Sequence, residues 1–157
     1  MLTPSELYDQ DFYTWTQHNL ILLQTGRLQE LDVEHLIEEL NEMGNSQRHE
    51  LENHLVILLA HLLKWQFQYA KLNIQWQEFT GQSWRSTIIE QRNRIRKRLQ
   101  RSPGLKAKLE SIIQEAYQDA RELAAEESGL PLTKFPSICP YTWNQIIAKE
   151  FYPQSVD

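Results

Sequence analysis

A stripe of large apolar side chains runs along the middle of the chain at intervals of three and four residues. It consists of Leu51, Leu55, Leu58, Leu62, Trp65, Tyr69 and Leu72. This spacing places the side chains on one face of an α-helix. Residues 55–60 are apolar without interruption, so the helix is hydrophobic nearly all round over its middle turns. We predict a long central helix, capped by Asn45 or Ser46 and running to about Leu72, inside a helical bundle.

Two further helices are predicted before this segment. Thr3 and Pro4 have the form of a cap followed by a first-turn proline, and the helix that they begin should run to Gly26. Asp32 then caps a short helix, for which Gly44 is the expected left-handed terminator.

Three helices are predicted after the central one. The first begins near Ser83 and stops at Ser102, and the second starts with the cap and proline Ser102–Pro103 and closes at Gly129. Prolines make residues 130–140 an extended segment that should lie across the bundle. Thr142 then caps a last helix to about Phe151. No alternating pattern typical of a strand is present, so we predict one all-α domain over residues 1–157.

Composition limits the possible classes of protein. The chain is 41% hydrophobic and 24% charged, as in globular proteins. Its longest apolar run is six residues, far short of the roughly 20 needed to span a membrane, so no membrane association is expected. The amino terminus lacks the basic start and apolar run of a secretory signal. A single cysteine, Cys139, allows no internal disulfide, which favours the cytoplasm.

Charge is strongly segregated along the chain. Residues 92–108 contain eight basic side chains and no acid, although the formal net charge is -5. Residues 30–42 contain six acids and no Lys or Arg. The helix over residues 85–108 is therefore either a nucleic-acid-binding face or a face that pairs with acidic helices of the same chain. For a binding face, Trp76, Phe79 and Trp84 would offer stacking platforms beside the arginines.

A metal site is the second hypothesis from the residues. His54 and His61 are seven residues apart on the central helix, and Glu38 and Glu42 are four apart on the short helix. Di-metal sites in bundles use Glu-x-x-His pairs, which this chain does not supply at the required spacing. The alternative is that His61 is a core histidine bonded to one of these carboxylates.

No catalytic motif and no cofactor-binding motif is found. Cys139 would act as a nucleophile only beside a histidine and positive charge, and its neighbours in sequence provide neither. We expect it to be a small buried apolar side chain. The chain is therefore expected not to be an enzyme.

Several separated motifs resemble an uncharacterised bacterial family, catalogued as domain of unknown function twenty-nine and numerous in photosynthetic bacteria. The motifs are residues 8–15, 36–40 with 43–44, 61–66, 83–84 with 87–88 and 91–92, 102–103, and 135–136 with 139–141. The resemblance spans almost the whole chain and implies an all-helical domain without an assigned activity. Between Trp65 and Trp84 the chain is longer than the family pattern.

Polar residues of these motifs adjoin the apolar stripes and suggest a common cleft. The predicted network consists of Glu38, Glu39, His61, Lys64 and Arg92. We predict a cytoplasmic, non-enzymatic interaction module that binds a protein partner or a second copy, with nucleic acid as the alternative. The predicted groove is formed by Trp76, Phe79, Trp84, Arg85, Arg92 and Arg96.

Overall fold

The computed structural model describes residues 2–69 and 81–156, and these are helical with no strand among them. The described residues form six α-helices: α1 (Pro4–Gln10), α2 (Phe12–Gln24), α3 (Val33–Phe67), α4 (Gln82–Arg101), α5 (Leu109–Ser128) and α6 (Trp143–Ile147). Short 3₁₀ turns occupy Leu28–Glu30, Pro103–Lys108 and Leu132–Lys134. The predicted all-α class is confirmed. The chain divides into two compact units, an N-terminal unit (Met1–Ser46) and a C-terminal unit (Gln47–Asp157).

The helix predicted from Thr3 to Gly26 is two helices. Asp11 ends α1 and caps α2, with φ -149° and ψ 80°. Its carboxylate accepts hydrogen bonds from the amide of Thr14 at 3.1 Å and from the hydroxyl of Thr14 at 2.7 Å. An aspartate that bonds to the backbone in this way competes with helical hydrogen bonds, and so breaks the helix.

The prediction of a short helix and a separate central helix is also wrong, because α3 runs without a break from Val33 to Phe67. Gly44 lies inside α3 and is not among the glycines with positive φ, which are Gly26, Gly81 and Gly129. A glycine within a helix costs about 1 kcal/mol relative to alanine. Continuing an existing helix adds a hydrogen bond at each residue, whereas a new helix needs a new nucleus.

The C-terminal unit surrounds the second half of α3, as the apolar stripe predicts. Leu51, Leu55, Leu58 and Leu62 are fully buried and Trp65 is 7% exposed. Helices α4 and α5 cover them with the large apolar side chains Ile88, Ile95, Leu99, Leu109, Ile112, Ile113 and Tyr117. The predicted end of the stripe, Leu72, lies outside the described residues, as do Trp76 and Phe79.

The C-terminal segments differ from the prediction in detail. The side chain of Ser102 accepts no capping hydrogen bond, and Pro103–Lys108 form a 3₁₀ turn before α5 begins at Leu109. Proline and glycine at 103 and 104 are both poor residues for an α-helix, which explains the tighter turn. Gly129 closes α5 with φ 73°, as predicted.

The proline segment crosses the C-terminal unit and buries aromatic side chains there. Phe135 is 1% exposed and Tyr141 is 8% exposed. The segment is not wholly extended, since it includes the 3₁₀ turn Leu132–Lys134. Thr142 caps α6 together with Gln145 in a capping box, and α6 ends at Ile147, before the predicted Phe151.

Candidate functional site

Arg92, one of the predicted binding residues, is buried in the C-terminal unit at 1% exposure. Its guanidinium donates to the carbonyl oxygens of Ile146 at 2.8 Å, Phe151 at 2.7 Å, and Gln145 and Lys149 at 3.4 Å. These carbonyls belong to the last turn of α6 and the residues after it, which have no helical donor of their own. Burial lowers the pKa of Arg92. This side chain therefore fastens α6 to α4 and is not available to a surface ligand.

Two other arginines of the predicted groove also lie against the C-terminal unit. The Arg85 guanidinium is 4.8 Å from the ring centroid of Tyr152 and 5.3 Å from that of Trp65. Arg96 donates to the carbonyl oxygen of Ile147. Stacking on rings and bonding to helix-end carbonyls are both common structural uses of arginine. One side of the basic helix is thus used within the unit.

Trp84 is the one aromatic residue of the predicted groove that lies in the described part of the chain. It packs against the core, and Lys64 Nζ is 5.2 Å from its ring centroid. Lys64 is 5% exposed, and its ammonium pairs with Glu127 at 3.1 Å. The ring and the carboxylate together provide the contacts that a buried cation requires.

The predicted polar network is distributed over separate partners. Lys64 pairs with Glu127, and His61 Nδ1 lies 2.8 Å from the carbonyl oxygen of Ile57 rather than against a carboxylate. Glu39 accepts a hydrogen bond from the hydroxyl of Tyr8. Burial, and next the charge of Lys64, lowers the pKa of His61. Arg92 binds carbonyls as described above, and no residue of this set forms a hydrogen bond or ion pair with another.

The residues of the metal hypothesis do not assemble a ligand set. His54 Nδ1 is 2.8 Å from Gln91 Oε1, and His61 Nδ1 faces its own helix. Glu38 and Glu42 lie on α3, the same helix as the two histidines, and not on a second helix facing them. Among residues 2–69 and 81–156, no group of three His, Cys, Asp or Glu side chains is arranged to hold a metal ion.

The remaining side of the basic helix α4 borders an open groove of about 240 Å³. The groove is lined by His54, Arg94, Lys97, Arg98 and Arg101. Arg94 pairs with Glu90 on its own helix at 2.8 Å, and Arg98 pairs with Glu50 of α3. Both interpretations of the charge on α4 therefore apply, since Arg94 and Arg98 line the groove and are also paired with acids of the same chain.

Cys139 is half-buried beside the C-terminal end of the proline segment. Its Sγ lies 3.6 Å from the carbonyl oxygen of Tyr141. Burial raises the pKa of the thiol, which disfavours the nucleophilic thiolate. The environment agrees with the predicted role of a small apolar side chain, although burial is partial.

A polar and aromatic cluster organises the N-terminal unit. Asp32 accepts hydrogen bonds from Trp15 Nε1 at 2.9 Å and lies 2.7 Å from His35 Nδ1, and the Tyr8 ring stacks on His35 at 3.9 Å. Burial by itself would raise the pKa of Asp32, but the bonds from Trp15 and His35 lower it below its usual value. The bond to Asp32 raises the pKa of His35. These contacts hold α1, α2 and the start of α3 together.

The same unit exposes large apolar side chains, which sequence reasoning did not identify. Of the fifteen exposed large apolar residues in the described part of the chain, eleven belong to the N-terminal unit. On α2 they are Phe12, Tyr13, Leu20, Ile21 and Leu23, and on α3 they are Val33, Ile37, Leu40 and Met43. All nine are between 44% and 66% exposed. We call these nine residues the apolar face.

On α3 the exposed apolar side chains are aligned along one side of the helix. At about 100° per residue, Val33, Ile37 and Leu40 lie within an arc of about 60° on α3. The buried residues of α2 are Trp15, Asn19 and Leu22, so its remaining apolar residues exceed what one buried side requires. This excess of apolar positions on α2 was the signal in the sequence that could have located the face.

The two units carry net charges of opposite sign. The N-terminal unit has nine Asp and Glu residues against a single Arg, Arg27. The C-terminal unit has fifteen Lys and Arg against twelve Asp and Glu. The apolar face therefore belongs to a strongly acidic part of the molecule.

Comparison with known protein families identifies the family of this chain. The family model described as "Domain of unknown function DUF29" matches residues 7–152, which confirms the resemblance drawn from the motifs. No curated protein and no solved structure matches the chain. Within the described residues, no helix is both long and apolar enough to cross a membrane.

Proposed function

Because this chain belongs to the DUF29 family, whose description assigns no activity, we propose from its surface that it is a non-enzymatic interaction module binding a protein partner through the apolar face. The observation that carries the proposal is the concentration of eleven of the fifteen exposed large apolar side chains in the N-terminal unit. Scattered exposed apolar residues are ordinary, whereas a concentrated set marks an interaction site.

The size of the face suits a stable complex. A large side chain that is about half exposed offers on the order of 100 Å² of surface, so nine such residues offer roughly 900 Å². A typical specific interface buries about 800 Å² on each partner. The summed apolar area of the nine side chains is therefore of the order that a specific interface uses, and it includes leucine and aromatic anchors.

The proposed surface differs in position from the groove expected from sequence. Of the groove residues within the described ranges, Arg92 is buried and Trp84 packs against the core. The apolar face lies on α2 and the first part of α3 instead. We place the module in the cytoplasm, and the single cysteine supports a reducing compartment.

Site-specific photo-crosslinking tests the proposal. A photoreactive residue is introduced at Leu40 in the apolar face or, as a matched control, at Ile138, which is 77% exposed and is the most exposed large apolar residue among the described residues of the C-terminal unit. In cells we expect a discrete protein adduct from position 40 that disappears when Ile37→Ser is added, and no such adduct from position 138. Light scattering on the pure protein then shows whether the adduct is a second copy.

Equal labelling at both positions, or a strict monomer with no adduct from position 40, would contradict the proposal. Ile37→Ser is a suitable disruption because its side chain is exposed, so its effect on the free energy of unfolding should stay within about 0.5 kcal/mol. Circular dichroism of the variant checks that it remains folded.

The basic groove favours a second candidate, nucleic-acid binding. His54, Arg94, Lys97, Arg98 and Arg101 line it without any acidic residue. A labelled single-stranded oligonucleotide should then bind at about 50 mM salt and dissociate as salt rises, because counterion release drives such binding. Double substitution of Lys97 and Arg101 by Gln should weaken it. Absence of binding at low salt would eliminate this candidate.

A further inference from the structure

A row of exposed acidic side chains on α3 starts near the apolar stripe and leads away from it round the helix. Val33, Ile37 and Leu40 form the stripe. The acids are Glu34, Glu38 and Glu42, spaced one helical turn apart. At about 100° per residue, Glu34 lies about 60° round α3 from Ile37, and Glu38 and Glu42 lie about 100° and 140° from it.

The acidic row has no cationic partner among residues 2–69 and 81–156. The ion pairs of the N-terminal unit in that part of the chain join Arg27 to Glu30 at 2.6 Å and His35 to Asp32 at 2.7 Å. The one arginine of the unit is therefore already engaged. Only Glu34 borders Ile37, and Glu38 and Glu42 lie farther round the helix. An exposed apolar surface and an exposed acidic surface therefore adjoin at that edge of α3.

We propose that the occupant of the apolar face is a basic amphipathic helix of a partner protein, which sets Leu or Ile side chains on Val33, Ile37 and Leu40. Its Lys or Arg side chains extend past Ile37 toward Glu34 and Glu38, the nearer members of the acidic row. This inference rests on the proposed function, and it names the partner's chemistry. The part of α3 from Val33 to Met43, which carries its exposed apolar side chains, is about 15 Å long at 1.5 Å per residue, and this matches a helix of about three turns. Helical ligands engage such surfaces through anchors at positions i, i+3 or i+4, and i+7.

A second copy of this chain fits the surface poorly. A symmetric contact between two N-terminal units would bring two sets of nine acids together, each with one Arg. Like charges facing each other across an interface oppose association. The basic helix α4 is not a suitable occupant either, because its apolar residues Ile88, Ile95 and Leu99 are buried in the C-terminal unit.

Nucleic acid is excluded as the occupant by the same charge. A phosphate backbone would meet the carboxylates of Glu34, Glu38 and Glu42 rather than cations. A partner that contacts both the stripe and the row must present an apolar surface with a positively charged surface beside it. Charge pairing of this kind also raises the rate of association and its dependence on salt.

Fluorescence anisotropy with three labelled peptides and the full chain tests the inference. The probes are a helical peptide of about 21 residues with Leu and Lys in heptads, a scrambled peptide of the same composition, and the heptad peptide with Glu in place of Lys. We expect only the Leu–Lys heptad peptide to bind, more tightly at about 50 mM than at 300 mM salt.

Variants of the protein locate the binding. Leu40→Ser should weaken it about tenfold or more, as expected when a central anchor is lost. Replacing Glu34, Glu38 and Glu42 together by Gln should weaken it about tenfold at low salt and remove most of the salt dependence. Ile138→Ser, the matched control in the C-terminal unit, should bind as the wild type does.

The outcomes separate this inference from the proposed function. Equal binding of the Lys and Glu heptad peptides, lost in Leu40→Ser, would overturn the basic partner and leave the apolar face as an interaction site. Equal binding of the scrambled peptide would show charge attraction without a helical partner and overturn the inference. If no peptide binds, the inference is overturned, and the crosslinking at position 40 decides separately whether the proposed function also fails.

Discussion

Replacing Arg92 by methionine should destabilise the C-terminal unit strongly. Methionine keeps much of the side chain's length and apolar stem but removes every donor. The carbonyl oxygens of Ile146, Phe151, Gln145 and Lys149 then lose the guanidinium. Buried acceptors without donors are costly, whereas the same carbonyls in water would find new partners.

The expected magnitude follows from the distances. The bonds to Ile146 at 2.8 Å and Phe151 at 2.7 Å are well formed, while the two at 3.4 Å contribute little. Hydrogen bonds involving a charged group contribute about 1.5–3 kcal/mol each. Methionine carries no charge that must be desolvated, and this offsets part of the free energy lost with the two bonds. We therefore expect the free energy of unfolding to fall by about 3 kcal/mol, or Tm by roughly 6–12 °C in a chain of this length.

Urea unfolding followed by circular dichroism measures this change, with Arg94→Met as the control. Arg94 is on the same helix, but it is exposed and pairs with Glu90, so its loss should cost about 0.5 kcal/mol or less. Arg92→Lys should remain destabilised by about 2 kcal/mol, because one ammonium cannot reproduce the planar set of donors. If Arg92→Met and Arg94→Met unfold within about 1 kcal/mol of each other, the proposed fastening of α6 is wrong.

Three further predictions concern the C-terminal unit. Burial lowers the pKa of His61, so the folded protein holds this imidazole neutral while the unfolded chain takes up a proton below about pH 6.5. The free energy of unfolding should therefore fall as pH drops below that value, and His61→Gln should flatten the pH dependence of the urea midpoint. Glu127→Ala should lower the free energy of unfolding by about 1–3 kcal/mol, since it leaves Lys64 buried without its carboxylate. Lys64→Met should lower it by less, because the side chain of Glu127 is 44% exposed and can be hydrated by water instead. Both Gly81 and Gly129 have positive φ, so alanine is strained at either position. Gly81→Ala should lower the free energy of unfolding by about 1–3 kcal/mol more than Gly129→Ala in thermal unfolding, because a Cβ at Gly81 would lie 2.5 Å from a ring carbon of Tyr69.

Specific results would contradict each of these predictions. A pH dependence that is unchanged in His61→Gln would show that its imidazole does not titrate differently on folding. A larger loss in Lys64→Met than in Glu127→Ala would reverse the argued asymmetry. Equal costs for Gly81→Ala and Gly129→Ala would show that backbone strain alone accounts for both.

The buried half of the architecture could be predicted because its signal is local. Leu51, Leu55, Leu58 and Leu62 repeat at helical spacing, and all four are fully buried. Capping residues were equally informative at Thr142, which begins α6, and at Gly129, which ends α5. Each depends on side chains within one or two helical turns of each other, so no knowledge of distant contacts is needed.

The breaks between helices were less predictable, because the same residue types serve more than one conformation. Gly44 has the form of a terminator in the sequence but continues α3, and Asp11 has the form of an ordinary helical residue but separates α1 from α2. In both cases the outcome depends on a balance of about 1 kcal/mol between local alternatives.

The sequence by itself determined an all-helical chain, its buried stripe and its segregated charge, since periodicity and composition act through neighbouring residues. The tertiary structure alone decided which charged and apolar residues remain free. Arg92 and Lys64 find carbonyl and carboxylate partners more than fifty residues away, so they are structural. Leu40 and Ile37 find no such cover and stay at the surface. A side chain's role depends on what packs against it, and pairings between distant residues cannot be read from spacing along the chain.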